Sequence, residues 1–238
     1  MVSELQIWLI FFLPLGSFLA IAVVIRPFLN KYFSLAGYVT VLAIALSFLL
    51  SLIALRSVPM SDSEISYQSH SWLELGDLGI SVGVLMDPLT AIMLVAVTGV
   101  SLMVQVYSLG YMQGDSGYAR YFAYMSLFTA SMVGIVIASN IIQLYVFWEL
   151  VGLCSYLLIG FWHQRPAAAS AAKKAFIVTR LGDFGFLVAI LYLFFNRESI
   201  GGGGNSLDIS VINEAAKAGL IAASVVTWIA LGIFAGAV

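Results

Sequence analysis

The chemistry in this chain centres on one acidic residue. Glu149 stands near the middle of NIIQLYVFWELVGLCSYLLIGFW, residues 140–162, a stretch long enough to cross a bilayer. A carboxylate at that depth is costly unless it is paired, wetted or protonated. A second group follows in KKAFIVTRLGDFG, with Lys173, Lys174, Arg180 and Asp183. Arg180 and Asp183 are three residues apart on one helical face and can pair. Lys173 lies two turns before Arg180 on the same face, so Lys173, Arg180 and Asp183 form a polar line entering the membrane. Desolvation favours a neutral carboxyl and a nearby cation favours the charged form. A carboxyl whose cationic neighbour can move therefore loads and releases a proton, and Glu149 is the expected carrier. Asp183, Arg180 and Lys173 are expected to continue the relay or to control it electrostatically. The competing reading is a structural clasp between helices, with Lys173 and Lys174 snorkelling to the interface.

Other polar side chains near these residues are weaker candidates. Ser155, Tyr145 and Tyr156 could extend a hydrogen-bonded path, although aromatics here read first as packing. His163 reads as a solvated helix-end residue and His70 as a loop residue. Trp8, Trp148, Trp162 and Trp228 read as belt or core.

Composition sets the environment. Hydrophobic residues make up 62% of the 238 positions and charged residues 9%, with a mean hydropathy of +1.04. Soluble chains are about a quarter charged, so this is a polytopic membrane protein. A net charge of -2 offers no basic field for nucleic acid. The single cysteine, Cys154, rules out a disulfide framework and a cysteine-built metal cluster. There is no CxxC and no dinucleotide glycine pattern. Gly201 to Gly204 lack the Gly-Lys-Ser/Thr ending of a phosphate loop. No cofactor is expected to be bound by this chain.

The expected fold is all-α, a polytopic transmembrane bundle of about seven spans. Span one is Leu5 to Ile25, retained rather than cleaved because Arg26-Pro27 follows it. Span two is Phe33 to Leu55. A polar stretch with Asp62, Glu64, His70, Glu74 and Asp77 comes next, in which YQSHSWLEL and LGISVGVLM predict a small extramembrane hairpin. Asp87-Pro88 caps and opens span three, Leu89 to Leu109. Span four is Tyr121 to Ala138, and Ser139-Asn140 turns tightly into span five. An Ala-rich approach leads to span six, Lys173 to Phe195, and the last span begins near Ala218.

Two regions are expected, 1–86 with two spans and an external loop, and 87–238. Arg26, Lys31, Arg120, Arg165, Lys173 and Lys174 follow odd-numbered spans, whereas Arg56, Arg197 and Lys217 follow even ones. That excess places the N-terminus outside and the odd loops in the cytoplasm. The apolar run to Val238 predicts that the sequence is part of a longer one.

The runs FWELVGLCSYLLIGFW and KKAFIVTRLGDFGF, with MDPLTAIMLVAVTGVSLMVQVYSLGYM and YARYFAYMSLFTASMVG upstream, carry a resemblance. They resemble the antiporter-like subunit L, or chain 5, family of proton-pumping NADH–quinone oxidoreductase, respiratory complex I. The similarity is strong from Gly79 to Phe195 and looser over the first two spans. It implies that Glu149 is the family's essential fifth-helix glutamate, with Arg180 and Asp183 in its Thr-Arg-x-Gly-Asp pattern. It further implies a partner lysine on a broken seventh helix, following a run that Phe234 to Val238 resembles.

By this resemblance the chain is a partial antiporter-like subunit, about the first third of the whole. NADH, FMN, iron–sulfur clusters and quinone would lie in other subunits, and other membrane subunits and the lipid bilayer would be its partners. The expected residence is a bacterial plasma membrane, with a thylakoid or other energy-converting membrane as alternative. Two other functions compete: a Mrp-type sodium/proton antiporter subunit, and a structural membrane subunit without its own ion path.

Overall fold

Residues able to close a first helical turn mark where the apolar stretches begin. Ser3 and Gln6 form a reciprocal capping box, the Asp87 carboxylate accepts from the Thr90 N–H at 2.6 Å, and Asn140 accepts from the Ile142 N–H at 2.8 Å. The computed structural model describes residues 3–28, 33–58, 65–67, 70–75, 78–196, 207–221 and 223–237. Asp62, Glu64, Asp77, Lys31, Arg197 and the Gly201–Gly204 loop lie outside the described residues.

The first span is α1 (Glu4–Leu19), a π-helical stretch (Ala20–Ile25) and α2 (Arg26–Phe28) in one line. It is followed by α3 (Leu35–Ser57), α4 (Pro88–Tyr111), α5 (Tyr118–Val136), α6 (Ile141–Ile159) and α7 (Pro166–Phe195). Among the described residues these six are long and apolar enough to cross a membrane. The seventh expected span appears as α9 (Ala223–Ala237), shorter than the others and starting later than Ala218. Between α7 and α9 lies α8 (Ile209–Lys217), in the stretch expected as a loop before the last span. The sixth span also begins earlier than expected. Pro166 takes the first position of α7, where a missing N–H costs nothing, and the alanines that follow are strong helix formers.

The hairpin is present: β2 (His70–Leu75) pairs antiparallel with β3 (Leu78–Val82). A second ribbon joins β1 (Ile65–Ser66) to β4 (Leu85–Met86).

The bundle has two groups that meet where α5 packs on α6. One is α1, α3, α4 and α5; the other is α6, α7 and α9. At the N-terminal end of α1, the His70 imidazole is 3.4 Å from the Glu4 carboxylate and Val84 bridges to Ala138. Asp208 there accepts from the Ser81 hydroxyl at 3.0 Å and from the Asn140 amide at 3.1 Å. Arg26, Phe33, Arg120 and His163 share a cavity at the opposite end, so the loops after spans one, three and five lie together.

Buried backbone in a membrane must find its partners inside the protein. Pro14 lies within α1 and has no N–H for the Ile10 carbonyl, so Ser47 of α3 donates its hydroxyl to that oxygen at 3.2 Å. Ser126 of α5 donates to the Pro14 carbonyl at 2.9 Å.

Glycines let α7 and α9 approach closely. A Cβ at Gly232 would stand 2.8 Å from the Ala189 Cβ and 2.9 Å from the Gly185 carbonyl. Gly232→Leu is therefore expected to destabilise the protein by about 1–3 kcal/mol through overpacking. Thermal unfolding of the purified chain in detergent checks this; an unchanged midpoint would show that α9 does not seat there.

Candidate functional site

Glu149 and Asp183 reach one guanidinium from two helices. Arg180 lies on α7, one turn before Asp183, and its Nη1 is 3.3 Å from Asp183 Oδ2. The same Nη1 is ion-paired with Glu149 Oε2 of α6, while Nη2 donates to the Glu149 backbone carbonyl at 2.9 Å. The pairing of Arg180 with Asp183 expected from their spacing is present, and Arg180 in addition bridges to Glu149. Phe176 lies under the guanidinium, with Cζ 4.7 Å from the ring centroid. Gly152, one turn after Glu149, lies beside the guanidinium: a Cβ there would make ordinary contact with Arg180 Nη2 at 3.4 Å.

Asp183 is nearly closed off, with 4% of its side chain exposed, whereas Arg180 and Glu149 keep 26% and 29%. Both Asp183 oxygens face N–H donors, because Oδ1 accepts from the Trp148 indole N–H at 2.8 Å. A protonated carboxyl must donate its own hydrogen, and here both positions already face donors. Glu149 is the more exposed of the two carboxyls. The arginine never deprotonates, and two carboxyls against one guanidinium leave one negative charge for a proton or cation to neutralise.

Trp148 was expected in a belt or core role, and its bond to Asp183 went unrecognised. Its one sequence signal is that a buried indole N–H needs a partner. Trp148→Phe keeps most of the ring but strands Asp183 Oδ1. The expected loss is about 1–2 kcal/mol in unfolding free energy, measured by thermal unfolding; no loss would place another donor at that oxygen.

Lys173 does not join the cluster. It is exposed, and among the described residues it makes no ion pair with Asp183. Instead it lines a cavity of about 210 Å3 with Arg120, Tyr124, Tyr156 and His163. The expected polar line is therefore interrupted: seven residues of helix, about 10 Å, separate Lys173 from Arg180.

Of the other candidates, the Ser155 hydroxyl turns back to the Val151 carbonyl of its own helix at 3.0 Å. Tyr145 and Tyr156 pack on Phe186 and Phe176. His163 is exposed and lines the cavities at the helix ends. Among the described residues, no three His, Cys, Asp or Glu side chains are grouped to hold a metal.

The protein is thus a helical membrane bundle with a carboxyl–guanidinium–carboxyl cluster between two of its spans. Residues 72–122 match the model of the NADH–ubiquinone oxidoreductase (complex I) chain 5 N-terminus, and residues 138–238 match that of the NADH:quinone oxidoreductase/Mrp antiporter transmembrane region. The chain belongs to this complex I chain 5 and antiporter-like family, carrying sequence from its N-terminal part.

NAD(P)H-quinone oxidoreductase subunit 5, chloroplastic, of Anthoceros angustus is 59% identical over 130 residues, covering 55% of this chain and 18% of the relative. The protein of the same name from Mesostigma viride is 47% identical over 196 residues, covering 81% of this chain and 30% of the relative. The chain thus spans less than a third of these curated relatives. Among solved structures, a chain of an archaeal membrane-bound sulfane sulfur reductase superposes with a TM-score of 0.78 at 19% identity, over 98% of this chain and 44% of that one. A chain of the Mrp complex from Dietzia sp. gives 0.73 at 23% identity, over 98% and 23%. These two likenesses establish the shared fold.

Proposed function

We propose that the chain forms part of a proton-translocating membrane subunit of an NADH–quinone oxidoreductase, with Glu149 as the proton-exchanging group. The observation that carries this reading is the charge imbalance of the cluster. One guanidinium serves two carboxyls, and Glu149, the more exposed of the two, takes up the proton that restores neutrality. Arg180 and Asp183 set the field that Glu149 feels. Lys173, at the wall of the cavity on the basic end, stands between the solvent side and the cluster and acts as the electrostatic control of entry. The division at residue 86, with 87–238 carrying the proton path, belongs to the same proposal.

Electron transfer from NADH to quinone would take place in partner subunits and drive the proton step here. The donor set of this chain does not fit an iron–sulfur cluster, since its one cysteine, Cys154, is buried within α6. Glu149 and Arg180, about a quarter exposed, need cover from further protein, which supports assembly with other membrane subunits. The basic end faces the cytoplasm or its equivalent. The proposed residence is an energy-converting membrane. A bacterial plasma membrane is the sequence-based choice, and the chloroplast names of the relatives support the thylakoid alternative.

The second reading is a subunit of a Mrp-type sodium/proton antiporter, which the shared family region and the fold of the Dietzia chain support. Inverted membrane vesicles from cells with and without this chain separate the two. Acidification driven by NADH and requiring the chain is the expected result. Sodium-driven proton exchange independent of NADH would establish the antiporter, and neither activity would leave a structural subunit.

A further inference from the structure

Among the described residues, the basic end of the bundle gathers more cationic than anionic side chains. A cavity of about 290 Å3 there is lined by Arg26 at the end of the first span, Phe33 before α3, Asp115 and Gly117 of the α4–α5 connection, Arg120 of α5 and His163 after α6. Asp115 is the acid of this wall, and its oxygens are occupied. Oδ1 accepts from the Gly117 N–H at 2.7 Å and Oδ2 from the Trp162 indole N–H at 3.1 Å. The Gly117 N–H, the Trp162 indole and nearby Arg120 hold its carboxyl below the usual carboxylate range, so it is charged at neutral pH.

Among the described residues, Arg26 and Arg120 make no ion pair. Arg120 donates Nη2 to the Phe161 carbonyl at 3.1 Å and lies over the Phe161 ring, while its Nε is buried without a partner. Two guanidiniums against one committed carboxylate leave an excess positive charge. An anion with several acceptor oxygens matches that donor set.

An apolar track leaves the cavity on the bilayer side. Phe33 is exposed at its rim, and Leu35, Tyr38, Leu42, Leu46 and Leu49 continue down α3 as an exposed stripe. Their spacing of three and four residues keeps them on one face. Phosphate-binding cations at the head of a lipid-facing apolar stripe suit a molecule with an anionic head and hydrocarbon tails.

We propose that this cavity binds the phosphate of an anionic phospholipid, held by Arg26 and Arg120, with its acyl chains along α3. A free phosphate shares the head chemistry but gains nothing from the stripe. The site stands on its own geometry and does not depend on the proton-transfer reading.

The test is lipid retention by the purified full chain. It is equilibrated with equal amounts of phosphatidylglycerol and phosphatidylcholine in detergent, and bound lipid is read by native mass spectrometry. Retention of phosphatidylglycerol over phosphatidylcholine by about tenfold is expected, given the contribution of each basic residue at a membrane surface. Arg26→Gln and Arg120→Gln should each lower that preference several-fold. Lys174→Gln, which removes the same charge from an exposed position outside the cavity, should leave it unchanged. Arg26 is exposed, so Arg26→Gln reports on lipid even where Arg120→Gln weakens folding through Phe161. Equal retention of the two lipids, or a preference intact in Arg26→Gln, would overturn the proposal. Loss of the preference on adding millimolar inorganic phosphate would assign the cavity to soluble phosphate and equally overturn the lipid.

Discussion

Glu149→Gln is expected to cut NADH-driven proton pumping by at least tenfold, toward the range of about 10²–10⁴-fold that a positioned acid–base group supplies, while the complex still assembles. The geometry accounts for both halves of that result. Glutamine fills nearly the same space but carries no exchangeable acid proton. Arg180 keeps its bond to Asp183 Oδ2 and its bond to the backbone carbonyl of residue 149, so α6 and α7 stay joined. Acidification of inverted vesicles, normalised to assembled complex, is the measurement. Undiminished pumping would leave the clasp as the role of Glu149.

Removing the cation instead of the acid should damage stability. Arg180→Met leaves two carboxyls facing each other without a guanidinium, and breaking such a pair costs about 3–5 kcal/mol. The partial exposure of Glu149 and Arg180 places the expected loss at the lower end of that range. Removing the stranded acid as well relieves part of the penalty. Arg180→Met with Asp183→Leu should therefore cost less than the sum of the single changes, with a coupling of about 1–3 kcal/mol. Unfolding of the purified complex by heat or denaturant gives the cycle; additive losses would show that the two groups are not in contact. Lysine at position 180 should rescue little, because a single ammonium cannot repeat the fork that reaches both carboxyls and a carbonyl.

The apolar runs and their caps were legible in the chain because both are local properties. Asp87-Pro88 marks a helix start through a bond three residues away, and Ser139-Asn140 marks the turn at which the structure adds an Asn140 cap. The alternating strands of the hairpin and the i, i+3 pairing of Arg180 with Asp183 are equally local. The family motifs around Glu149 and Arg180 are continuous in sequence, which is why the resemblance could be read without coordinates.

The start of α7 was misplaced because an Ala-rich segment shows little hydropathy while being strongly helical. Helix α8 was missed because residues 209–217, with Glu214 and Lys217 among them, read as part of the loop before the last span. Lys173 was assigned to the line of Arg180 from helical periodicity, which gives a shared face but not a shared environment.

The sequence by itself determined that this is a membrane bundle, where most of its spans lie, and that Glu149, Arg180 and Asp183 carry its unusual charge. Only the tertiary structure decided that Arg180 bridges both acids, that Trp148 occupies the second oxygen of Asp183, and that Lys173 stands apart. The Arg180–Glu149 and Trp148–Asp183 contacts join residues 31 and 35 positions apart. Such contacts depend on how α6 and α7 are rotated about their axes. In spans that are apolar nearly all round, no amphipathic pattern announces that rotation. It is set instead by where glycine lets helices approach, as at Gly134 against Phe147 of α6 and Gly232 against α7, and by which buried polar groups must be satisfied inside the protein.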